Sequence, residues 1–76
     1  MTKEAINQAL QEAREEAGLS QSQAGEKLGV TRQAISQFEN RGSVSMNTYF
    51  SLCEAYGISP VALMEKMVKN INKLEE

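Results

Sequence analysis

Gln21 to Asn40, QSQAGEKLGVTRQAISQFEN, is the stretch that leaves fewest alternatives open, because it reads as two short helices joined by a tight turn. Ala24, Leu28, Val30, Ile35 and Phe38 are its apolar positions. Their steps of four, two, five and three put them on the facing sides of two helices that cross steeply. Gly25 leaves room for the second helix to pass close to the first, and Gly29 can take the positive φ that ends one helix and turns the chain. Thr31, Arg32, Gln33, Ser36 and Gln37 fall together on the side opposite Ile35 and Phe38, a face left free to meet a partner.

Length and composition exclude most other chemistry. A chain of 76 residues makes one small domain, spanning 1–76, that buries only about 60% of its unfolded surface and has no volume for a deep catalytic cleft. There is no histidine, no aspartate and a single cysteine. No metal-ligand set and no Ser/His/Asp or Cys/His nucleophile can be assembled, so neither an enzyme nor a cofactor or metal site is expected. Cys53 lies in a helical apolar pattern beside Tyr49, Phe50 and Tyr56, where a free cysteine packs as a small hydrophobe. One lone thiol fits a reducing cytoplasm. No apolar run approaches the roughly 20 residues that span a bilayer, so the expectation is a soluble, cytoplasmic protein with no membrane partner.

Helix punctuation divides the chain into five segments and leaves no strand pattern, which predicts an all-α fold. The first runs over about residues 3 to 17, with Ile6, Leu10, Ala13 and Ala17 at helical spacing and Gly18-Leu19 as a left-handed cap with its hydrophobic latch. Ser20 followed by Gln23 is a capping box that starts the second helix at Gln21, and Leu28 lies near its end. Thr31 caps the third, which reaches about Asn40. After a loop from Arg41 to Ser45, Met46, Tyr49, Phe50, Cys53 and Tyr56 mark a fourth helix that Gly57 terminates. Ser59-Pro60 starts the fifth, with proline at the first helical position.

Three blocks in order, AREEAGLSQ, GEKLGVTRQAISQFEN and SMNTYFSLCEAYGISPVALM, resemble the phage-repressor and Cro type of helix-turn-helix domain, a five-helix bundle. The resemblance covers about Ile6 to Met64. It implies that the third helix enters the major groove of double-stranded DNA while the second crosses the backbone. Thr31, Arg32, Gln33, Ser36 and Gln37 match groove-facing positions, and their chemistry suits base edges: Gln pairs with adenine, Arg with guanine, and Thr meets a thymine methyl. Gln21 matches a phosphate position at a helix N-terminus, where N–H donors and the dipole favour an anion. Asn40 and Arg41 match backbone-holding positions that orient the domain. The family often pairs an arginine in the first helix with a glutamate at the end of the third, and Arg14 and Glu39 stand at those places. Departures are Gly25, where alanine is more usual, and Val44, where proline is common.

Charge is segregated along the chain. The total is −2, yet residues 20 to 45 hold Lys27, Arg32 and Arg41 against Glu26 and Glu39, a balance of +1. The groove-facing positions carry no acid. A mildly positive face implies weak non-specific affinity and a larger share of specificity from base contacts.

Beyond the motif, Met64, Met67, Ile71 and Leu74 recur at steps of three, four and three, with Val61 and Val68 flanking them. The early part of this stripe is expected to complete the core. The later part, within a segment of about residues 59 to 74, is expected to seek a second copy through Met64, Met67, Val68, Ile71 and Leu74, helped by Tyr49 or Tyr56. Recognition helices in such a homodimer lie about 34 Å apart and read a near-palindromic site. The function expected is a sequence-specific DNA-binding transcription regulator, a repressor. The alternative is a protein-interaction module, such as an antitoxin, that binds an unlike partner through its C-terminal helix and binds DNA secondarily.

Overall fold

Four of the five helices begin at a side chain that accepts a backbone N–H. Ser20 Oγ accepts from Gln23 N at 3.0 Å while Gln23 Oε1 accepts from Ser20 N at 2.8 Å, a complete capping box. Thr31, Ser45 and Ser59 cap three residues ahead in the same way, at 3.1, 3.1 and 3.0 Å. The computed structural model, which describes the backbone of residues 2–75 and the side chains of residues 2–73, thus contains α1 (Thr2–Glu16), α2 (Gln21–Leu28), α3 (Arg32–Arg41), α4 (Met46–Tyr56) and α5 (Pro60–Glu75). The all-α, five-helix fold is as the punctuation predicts. Two boundaries move: Ala17 lies past the end of α1 and is exposed, and Arg41 is the last residue of α3, its end marked by Gly42 at φ 74°.

The core gathers Ala9, Leu10 and Ala13 of α1, Ala24 of α2, Ile35 of α3, Tyr49, Leu52, Cys53 and Tyr56 of α4, and Leu63 and Met67 of α5. Helices α1 and α5 run antiparallel. Lys66 Nζ sits 2.9 Å from Glu16 and 3.6 Å from Glu12, while Asn70 Nδ2 donates to Ala5 O at 3.2 Å nearer the start of α1. The first turn of α1 also rests on the end of α3. Gly42 N donates to Asn7 Oδ1 at 2.7 Å, and a Cβ on Gly42 would lie 2.8 Å from Lys3 Cα.

This pairing corrects the expected stripe on α5. Met67 is only 7% exposed and belongs to the core, not to a surface for another chain. The core was not full at Met64, because Ala5, Ala9 and Ala13 on the buried side of α1 let neighbouring helices approach and extend the interior past Leu63. Leu63, Met67 and Asn70 therefore turn inward, and the free apolar face rotates to Val61, Met64 and Val68. Ile71 is half-buried, and the side chain of Leu74 lies outside the described residues.

Burial pushes the Tyr56 phenol up to about 12, with the Glu39 carboxylate adding to the shift. A phenol whose folded pKa exceeds its unfolded value near 10 favours the folded state fully below about pH 10 and stops doing so as pH rises towards 12. Between those values the protein is expected to lose about 2–3 kcal/mol that a Tyr56→Phe variant does not lose. Urea titrations of both proteins at pH 9, 11 and 12 check this, and parallel pH dependences would refute it.

Candidate nucleic-acid interface

The turn between α2 and α3 closes through backbone contact. Val30 N donates to Gly25 O at 2.9 Å, and a Cβ on Gly25 would stand 2.7 Å from Val30 O. Any side chain there would force the two helices apart. Gly29 takes φ 74°, the left-handed conformation that ends α2. Val30, expected to face inward, is instead 39% exposed at the turn.

Ile35 is fully buried and sets the rotation of α3 about its axis. With that side chain pinned, Thr31, Arg32, Gln33 and Gln37 point to solvent and Ser36 is half-buried beside them. All five groove-facing candidates are thus at least partly accessible to solvent. The Thr31 hydroxyl already accepts from Ala34 N, which leaves its methyl as the part of greatest use against a base.

Two of the phosphate candidates have prior engagements. Asn40 Nδ2 donates to Ser36 O at 2.6 Å, so its amide folds back onto α3. Gln21 Nε2 donates to Glu39 Oε1 at 3.2 Å, a long-range contact that no local pattern announces. Arg41 is exposed, and the first turn of α2 keeps the backbone N–H groups of Gln21 and Ser22 outside the capping box. Ser22 and Lys27 are also exposed on α2, Lys27 beside Ser51 and Glu54 of α4.

Glu39 is the hub behind the interface. Arg14 Nε donates to Glu39 Oε2 at 2.6 Å and Arg14 Nη2 to Oε1 at 3.2 Å, a two-pronged pair whose side chains are 10% and 6% exposed. Arg14 Nη1 donates to Leu19 O at 2.8 Å. The carboxylate holds the guanidinium pKa above its ordinary value. One ion pair therefore ties α1, the α1–α2 turn and α3 together, and the contact with Gln21 adds the first residue of α2. Arg14 is committed to this structural role.

A second surface is apolar. Met46 and Phe50 from α4 and Val61, Met64 and Val68 from α5 are 48–68% exposed. They form a groove of about 670 Å³ together with Tyr49 and Pro60, and Glu65 and Lys69 stand at its edge. The Tyr49 hydroxyl donates to Pro60 O, and its ring meets Phe50 edge-on with centroids 5.7 Å apart, so the wall is braced across both helices. Met46 and Phe50 stand at i, i+4 on the exposed side of α4. Among the described residues, no group of three His, Cys, Asp or Glu side chains is placed to hold a metal ion. No described helix is long and apolar enough to cross a membrane.

Comparison with known proteins agrees with this geometry. The crystal structure of the clp gene regulator ClgR from C. glutamicum superposes with a TM-score of 0.81 at 26% identity, covering 91% of each chain. No curated protein sequence matches at a significant level. The helix-turn-helix family profile matches residues 10–63, from the middle of α1 into α5, and so spans the capping box, the turn at Gly29 and the whole of α3. With most of its length matched, the chain belongs to the Cro/C1-type helix-turn-helix family of DNA-binding transcription regulators.

Proposed function

We propose that the protein is a sequence-specific transcriptional repressor that acts in the cytoplasm as a homodimer on a near-palindromic operator. The observation that carries this reading is the outward side of α3: Gln33 and Gln37 are exposed together on the side away from buried Ile35, and Arg32 is exposed in the first turn. In the groove, Arg32 reads guanine, Gln33 and Gln37 read adenine, the Thr31 methyl meets thymine, and Ser36 completes the set. Arg41 and the first-turn N–H groups of Gln21 and Ser22 hold phosphates, with Asn40 joining them if its amide turns outward.

Self-association uses the α4–α5 groove. Met64 and Val68 remain in the proposed interface, now joined by Val61, Phe50 and Met46, and Ile71 lies at its far end. A second copy is the occupant that the groove suits. Its edge carries one acid and one base, Glu65 and Lys69, and a two-fold axis sets such a patch against its own complement.

Selection of bound DNA from a random pool at moderate salt tests the whole reading. A two-fold symmetric motif is expected, with half-sites one helical turn, about 34 Å, apart. Gln33→Ala is expected to relax the preference at one position per half-site by about 1–3 kcal/mol. A pool without an enriched motif would overturn autonomous DNA reading and favour an unlike protein partner in the groove.

A further inference from the structure

Sulfur chemistry converges on the α4–α5 groove. The chain has one cysteine and four methionines. Cys53 is 3% exposed, and burial pushes its thiol pKa up, so its reactive thiolate is scarce as well as shielded. Met67 is 7% exposed within the core. Met46 and Met64 are 62% and 48% exposed, and they line one groove from two different helices. Met1 lies outside the described residues.

We propose that Met46 and Met64 are a methionine-oxidation site at which a hydroperoxide controls self-association. The inference rests on the homodimer proposed above. The thioether sulfur lone pair attacks one peroxide oxygen, an S–O bond forms as the O–O bond breaks, and the other oxygen leaves as water when the oxidant is hydrogen peroxide. Sulfur is oxidised by two electrons and the peroxide is reduced by two. The sulfoxide is polar and chiral where the thioether was apolar and adaptable. Phe50, Pro60, Val61 and Val68, its neighbours in the groove, offer it no side-chain hydrogen-bond donor, the Tyr49 hydroxyl is spent on Pro60 O, and Lys69 stands at the edge. Closing a second copy over such a group leaves a buried acceptor unpaired and opposes association. Association in turn covers the sulfurs, so oxidation and dimer formation compete for the same surface and peroxide traps the free protomer.

The full-length chain treated with hydrogen peroxide tests this, with peptide mass spectrometry locating the added oxygen and sedimentation velocity giving the dimer dissociation constant. Met46 and Met64 are expected to oxidise several-fold faster than Met67. Their oxidation slows at protein concentrations where the dimer predominates. The dissociation constant of the treated protein rises by about tenfold or more, and operator affinity falls with it. Each variant is compared with its own untreated state. Met46→Leu/Met64→Leu gives the same dissociation constant before and after peroxide, whereas Met67→Leu keeps the peroxide response. Unchanged sedimentation once both sulfoxides have formed, or oxidation rates independent of protein concentration, would overturn the inference. An untreated protein that sediments as a monomer at every concentration would sink the homodimer reading itself, and the inference with it, before any peroxide is added.

Discussion

Replacing Glu39 by alanine is expected to destabilise the fold by about 3–5 kcal/mol, because it leaves the Arg14 guanidinium buried without its counter-charge. The geometry makes this a large effect: both side chains are at most 10% exposed, and Arg14 donates to both carboxylate oxygens. Folded domains of this size are stable by about 4–11 kcal/mol, so the loss is a large share of the total. Glu39→Gln keeps an acceptor in place and is expected to lose less. Arg14→Leu/Glu39→Leu removes both charges and is expected to recover much of the stability, since a buried pair and a well-packed apolar pair differ little. Urea denaturation of the four proteins measures this. A Glu39→Ala loss under about 1 kcal/mol would mean that water screens the pair as it does at a surface.

Ile35→Ala is the second large effect, expected at about 2–5 kcal/mol from lost burial and the cavity left behind. Ile35 is fully buried among helices that include α1 and α2, and it alone from α3 belongs to the buried apolar cluster. Its truncation therefore also loosens the rotation that presents Arg32, Gln33 and Gln37. Operator affinity is expected to fall even at temperatures where the variant remains folded, and a binding isotherm beside a denaturation curve separates the two effects. Affinity equal to wild type in the folded variant would show that other contacts orient α3. Ile35 and Glu39 stand one turn apart on α3, so their losses should couple rather than add.

The caps were legible because capping is local. Ser20 and Gln23, Thr31 and Ala34, and Ser59 and Ala62 each complete their hydrogen bonds within three residues, so the sequence alone contains both partners. Gly29 was legible for the same reason, since its left-handed φ of 74° depends on its own missing Cβ. The exposed polar side of α3 followed from the 3.6-residue period with Ile35 and Phe38 as the inner side.

Side-chain commitments across the fold were not legible. Gln21 and Glu39 are separated by 18 positions, and nothing near Gln21 signals that its amide will donate to a carboxylate on α3. The resemblance puts Asn40 at a backbone-holding position, yet its amide donates to Ser36 O. The periodic stripe on α5 admitted several rotations, and the antiparallel approach of α1 selected the one that buries Leu63 and Met67 and leaves Val61, Met64 and Val68 outside. The start of each capped helix, the tight turn and the exposed polar side of α3 were thus determined by the order of residues, through interactions spanning a few positions. Which way α5 faces, what holds Glu39, and where an apolar groove opens were decided only by tertiary packing, because each depends on which of several comparable helix faces wins the limited interior of a small domain.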